Sequence, residues 1–207
     1  MRYYIVSNSL FKDSQFAYGE HKEVNYNTGN AKYCIECGNP ITMLEWLPPY
    51  EITVSKKKLG DFIFGSYVGF VVSGMLRNKL EGANLKGLTN FKKVDLYYRD
   101  KRLAEEYYYP EITVLTAFID IDRIKFEEEN LCSVCQKGNS ILSEINGITF
   151  INLAEINIDV FFTTAIGQST IIVSQGFKDF IEKNAFTNLN LIEASNYKWN
   201  SFNPMKY

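Results

Sequence analysis

Apolar and polar positions along the chain alternate in short runs, with only two stretches of helical spacing. Tyr3–Ser7, Ile52–Val54, Phe91–Tyr98, Glu111–Ile121, Ile148–Leu153, Thr170–Val173 and Leu189–Glu193 are apolar or β-branched runs between turn formers, so each is expected as a strand. Asp159–Thr163 starts a further apolar element. Val68, Val71, Val72, Met75, Leu76 and Leu80 fit one helix face, which predicts a helix over 67–80 capped by Ser66 and ended by Gly82. Phe177, Phe180 and Ile181 share a face after Ser174, a capping residue, which predicts a helix from about Gln175 to Asn184.

Between these runs the chain is polar or stiff. Residues 11–32 carry the turn formers Asn25, Asn27, Gly29 and Asn30, and Pro48-Pro49 forbids helix after Trp46. Arg99–Tyr109, charged and then aromatic, reads as a surface loop with a strand behind it. No internal repeat emerges apart from the cysteine pairs described below. The expected fold class is α+β: a mixed or antiparallel sheet with a few helices. It forms a single domain over 1–207, with 1–140 and 141–207 as its natural sub-structures.

Composition supports a packed fold and removes several functions. The 207 residues are 46% hydrophobic and 15% aromatic, enough for a sizeable core. A net charge of −2 gives no field that attracts nucleic acid. The most apolar window, Phe62–Leu76, is shorter than the roughly 20 residues that span a bilayer and is broken by glycines. Residues 1–10 lack a basic start followed by a long apolar run, so the chain is expected in the reducing cytoplasm and off the membrane.

All four cysteines fall in two Cys-x-x-Cys pairs, Cys34-Ile-Glu-Cys37-Gly38 and Cys132-Ser-Val-Cys135-Gln136, with Gly138 shortly after. Each pair can turn so that both sulfurs face one point, and a residue with positive φ lets the chain leave the turn. Four thiolates make the closed tetrahedral shell of a structural Zn2+, with Cys34, Cys37, Cys132 and Cys135 as ligands stapling two distant zinc knuckles. A redox dithiol, disulfides and inert thiols are the competing readings. His21, the sole histidine, reads as a loop or strand residue rather than a fifth candidate ligand.

The arrangement resembles the double-CXXCG motif proteins of myxobacteria and other bacteria. Cys34–Gly38 near the N-terminus, Cys132–Cys135 in the later half, and a tail of Ile171–Ser174, an amphipathic helix and Asn188–Glu193 carry the resemblance. The second motif departs from it, having Gln136 where the pattern has glycine. The resemblance implies a cytoplasmic immunity protein of a polymorphic toxin system, which binds and neutralises a cognate toxin and is not an enzyme. The alternative is a zinc-ribbon-like nucleic-acid-binding or regulatory protein. The residues add no catalytic constellation: no nucleophile motif surrounds His21 and no Gly-rich phosphate loop occurs. For a protein interface, Tyr107, Tyr108 and Tyr109 are candidate aromatic anchors, with Asp120, Asp122, Glu127, Glu128 and Glu129 as an acidic docking patch.

Overall fold

The computed structural model describes residues 2–7, 15–65, 69–115, 119–128, 130–139, 141–151, 156–166 and 170–201. In chain order the elements are β1 (Tyr3–Ser7), β2 (Gly19–His21), β3 (Glu51–Val54), β4 (Phe62–Phe64), β5 (Phe70–Ser73), α1 (Gly74–Glu81), β6 (Leu88–Tyr98), β7 (Lys101–Arg102) and β8 (Tyr107–Leu115). They continue with β9 (Ile124–Glu128), β10 (Ile141–Asn146), β11 (Val160–Thr163), β12 (Ile171–Ser174), α2 (Gln175–Lys183), β13 (Asn190–Glu193) and β14 (Lys198–Asn200). The fold is α+β, as expected: among the described residues it has a mixed eleven-stranded sheet, a three-stranded sheet in the order β14-β10-β9, and two α-helices.

The large sheet runs β13-β1-β12-β11-β8-β6-β3-β2, with β4, β5 and β7 paired at its side. β8 is its spine. Tyr107 and Tyr108 pair with β5, Thr113–Leu115 pair with β11, and the span from Tyr107 to Ile112 lies antiparallel to β6. Pro110 cannot donate a ladder hydrogen bond, and opposite it β6 bulges at Asn90 and Phe91, with Asn90 at φ 48°.

Strict alternation sorts the core into two faces. Tyr4, Val72, Val160, Phe162, Ile171 and Val173 point to one side, where they pack with Leu76 and Leu80 of α1 and Phe177 and Ile181 of α2. Tyr3, Ile5, Phe161 and Ile172 point to the other, onto Ile124 and Ile145 of the small sheet. A further cluster gathers Trp46, Ile52, Val54, Ile63, Val71, Val94, Leu96 and Tyr107.

The structure overturns the expectation of no internal repeat. Residues 61–87 and 159–188 form the same unit: an aspartate, a β-hairpin, a serine cap, a helix and a turn. In the first, Phe62 pairs with Val72 and Phe64 with Phe70; in the second, Val160 pairs with Val173 and Phe162 with Ile171. Ser73 and Ser174 cap the helices by accepting from Leu76 N (3.2 Å) and Phe177 N (3.1 Å). Each cap hydroxyl donates to its aspartate, Ser73 to Asp61 at 2.9 Å and Ser174 to Asp159 at 2.6 Å. The buried helix residues sit at the same offsets from the caps, Leu76 and Leu80 against Phe177 and Ile181. So do the positive-φ residues, Asn84 and Gly87 against Ala185 and Asn188.

The two units clasp each other reciprocally. The other oxygen of Asp61 accepts from Thr187 N (2.9 Å), after α2, and that of Asp159 accepts from Lys86 N (2.9 Å), after α1. Phe62 N donates to Thr187 O, and Val160 N to Lys86 O. At Gly87, φ is 113° and an added Cβ would lie 1.9 Å from Val160 O, so only glycine allows this approach. The likeness extends outward. Arg77 lies over Tyr108 and pairs with Glu81, as Lys178 lies over Tyr4 and pairs with Glu182.

Other expectations also change. The helix expected over 67–80 is strand Phe70–Ser73 followed by α1, capped by Ser73; Ser66 lies outside the described residues. Val71 and Val72 are fully buried on opposite faces of a strand, which a helix-period reading takes for one stripe. The loop expected over 99–109 holds β7 and the start of β8. Within the expected strand Ile148–Leu153, residues 148–151 carry no strand, only an isolated bridge from Phe150 to Ile119, and 152–153 lie outside the described residues.

Candidate metal centre

The two Cys-x-x-Cys turns, 98 positions apart in sequence, converge on one point. All four sulfurs lie within 4.8 Å of one another, with Cys34 Sγ 3.8 Å from Cys132 Sγ and Cys37 Sγ 3.7 Å from Cys135 Sγ. Four thiolates at about 2.3 Å from a central Zn2+ stand about 3.8 Å apart along the edges of the tetrahedron. A disulfide would need about 2.05 Å, and the cysteines are free thiols. The donor set and its spacing therefore fit a four-coordinate metal with no open position for substrate.

Each turn is built from local backbone bonds. In the first knuckle Gly38 N donates to Cys34 O (2.9 Å) and Cys34 N to Asn39 O (2.8 Å), with Gly38 at φ 69°. In the second, Gln136 N donates to Cys132 O (2.9 Å), and Gln136 itself takes φ 57°. This explains the departure from glycine. A left-handed non-glycine residue costs about 1 kcal/mol, but the Gln136 amide forms two hydrogen bonds with the backbone of buried Ile119. Its Oε1 accepts from Ile119 N (2.8 Å) and its Nε2 donates to Ile119 O (2.9 Å). Gly138 then carries the close approach: at φ 54°, a Cβ there would lie 1.8 Å from Asn130 O.

Polar side chains lock the knuckles together. Asn39 Nδ2 donates to Gly138 O (2.9 Å) and approaches Cys37 Sγ (3.5 Å), while Lys137 Nζ donates to Pro40 O (3.2 Å). Thr164 Oγ1 donates to Cys135 O (2.7 Å), anchoring the second knuckle just past β11. None of these residues stands out in the sequence; only the placement of Asn39 directly after Gly38 hints at a role. The thiols differ in environment. Cys37, exposed, is held down to about 6 by the Asn39 backbone N–H, with the Asn39 amide and sulfur neighbours assisting. Cys135, buried, is pushed up to about 11 by desolvation.

His21 stands apart from this cluster. It stacks on Tyr26 (3.5 Å between centroids) and meets Trp46 edge-on, and burial lowers its pKa.

The expected interface residues scatter. Tyr107 is 4% exposed, and its hydroxyl donates to Gly60 O, so it is a core residue rather than a surface anchor. Tyr108 lies under Arg77, and Tyr109 packs on Trp46, its phenol raised to about 12 by burial. Asp120 caps a short turn by accepting from Asp122 N (3.1 Å). Asp122 and Glu127 are exposed, Glu128 is the last residue of β9, and Glu129 lies outside the described residues.

Among the described residues no helix is long and apolar enough to cross a membrane. The model of an immunity protein family, Imm11, matches residues 54–196. That span holds both hairpin–helix units and the second knuckle but stops short of Cys34 and Cys37. No curated protein matches the chain.

Proposed function

This chain belongs to the Imm11 immunity protein family, and from that premise we propose that it binds and neutralises a cognate bacterial toxin in the cytoplasm, with a structural Zn2+ held by Cys34, Cys37, Cys132 and Cys135. The family match over 54–196 carries the reading. The metal's part in this reading is structural, since a shell of four cysteines leaves no position on it for substrate. When bound, the metal supplies a cross-link; the chain's own residues do the rest. Asn39, Lys137 and Thr164 hold the two knuckles against each other and against the large sheet.

A protein partner is favoured over nucleic acid. Lys22, Lys92, Lys93, Lys125 and Lys178 are each paired with a carboxylate on this same chain, so they form no basic groove.

Two experiments test the proposal. Co-expression with the toxin encoded beside this gene should restore growth, and the purified pair should co-elute; absence of both overturns the immunity reading. Metal analysis of the purified chain should find about one zinc per molecule, and a folded, metal-free protein with four free thiols overturns the zinc assignment.

A further inference from the structure

Beside the metal centre, residues 41–46 and β8 enclose a groove of about 660 Å³, within the size range of binding sites. Ile112, Val114 and Leu115 of β8 and Phe162 of β11 supply its apolar lining, beside Thr89, Lys92, Glu111 and Thr113. Its rim presents Met43 and Leu44, which are 44% and 55% exposed although the chain has buried cores to receive them.

The rim is fixed before anything binds. Ile41 packs against the cysteine cluster and its N–H donates to Lys32 O (2.8 Å). Gly29 N donates to Glu45 O (2.8 Å), and Trp46 is buried. A rim held at both ends loses little freedom on binding.

The charges of the groove are already matched. Lys92 bridges Glu45 (3.3 Å) on the rim and Glu111 (2.9 Å) on the floor side, and Lys32 stands near enough to favour the Glu111 carboxylate. Two lysines face two glutamates, so the groove exerts no net pull on a charged ligand, and a charged side chain inserted there would break a pair. Its complement is uncharged and apolar.

We propose that this groove seats an uncharged, apolar segment of the toxin, with Met43 and Leu44 as its apolar rim contacts. The proposal rests on the immunity reading and specifies the surface that reading leaves open.

The test uses the full zinc-loaded chain and the toxin encoded beside it. Affinity is measured by calorimetry for wild type, Met43→Glu, Leu44→Glu and, as a control outside the groove, Met75→Glu, which is 61% exposed on α1. Both groove variants should weaken binding at least tenfold while Met75→Glu stays within twofold. Hydrogen exchange on the unmodified pair should show protection of 41–46 and 109–115. Wild-type affinity in both groove variants, or protection confined to other surfaces, overturns the groove while leaving the immunity reading intact. No complex with the wild-type chain overturns both. A concentration-dependent dimer of this chain alone that Met43→Glu and Leu44→Glu abolish assigns the groove to a second copy and overturns the toxin as occupant.

Discussion

In the two hairpin–helix units the chain answers its own polar groups: each serine caps a helix, each aspartate holds that serine, and each unit's turn supplies the second donor to the other's aspartate. From Lys22 to Leu47 the chain makes no strand, only isolated bridges such as Thr28 with Trp46 and Tyr33 with Pro40. Its large apolar residues largely face solvent, with Val24 93% and Ile35 96% exposed. One region is held by packing and ladders, the other by scattered backbone hydrogen bonds such as Gly29 N to Glu45 O and Leu47 N to Asn27 O, buried Trp46 and four sulfurs. A segment that buries so little cannot offset its own ordering entropy, so an external constraint must do so.

The comparison is sharpened most by removing the constraint. Cys135→Ser should abolish zinc in metal analysis and lower unfolding stability by on the order of 4 kcal/mol, the chain-entropy value for closing a loop of about a hundred residues. Proteolysis of that variant should cut first between Lys22 and Leu47. Within the core, Asp61→Ala and Asp159→Ala each leave a serine hydroxyl and a backbone N–H without their acceptor. Each should cost about 2–3 kcal/mol in urea melts, with zinc content unchanged. Asp61 also accepts from the Thr187 hydroxyl (2.8 Å), so Asp61→Ala should cost more than Asp159→Ala by about one hydrogen bond, about 1 kcal/mol. Loss of one cap, Ser73→Ala or Ser174→Ala, should cost about 1 kcal/mol by the same melts. The smallest effect belongs to Gln136→Gly. Relief of the left-handed backbone, about 1 kcal/mol, offsets only part of the loss of two amide hydrogen bonds to Ile119, about 2 kcal/mol, so the melting midpoint should fall by the equivalent of about 1 kcal/mol or less.

Much of the second unit was legible in the sequence. Ile171–Ser174 followed by Phe177, Phe180 and Ile181 announces strand, cap and helix, and the strand from Asn190 follows. The first unit hid the same plan. Phe62–Phe64 and Phe70–Ser73, like Ile171–Ser174, are buried on both faces and show no alternation, but here the valines of the hairpin merged with the leucines of α1 into a false helical stripe. The repeat was invisible because it is written in registers and hydrogen bonds; only the aspartates, the cap serines and apolar character recur, and the hairpin loops differ in length. Ile124–Glu128 did carry a legible signal, alternating buried Ile124 and part-buried Phe126 with exposed Lys125 and Glu127, which the acidic run obscured. Cysteine spacing marked the four sulfurs, whereas Tyr107 could not be placed, because a tyrosine triplet gives no sign of which ring faces the core. The groove was beyond reach for another reason: its walls come from residues 41–46 and β8, which only the tertiary fold brings together.

The hairpin–helix core stands by its own packing while the four cysteines hold the 22–47 segment in place. Hydrogen exchange on the intact chain, with zinc bound and after chelation, tests it most directly. Chelation should strip protection from residues 32–41 and 130–139 while β1, β8, β11 and β12 keep theirs. Equal loss across both regions, or no loss in either, would contradict it.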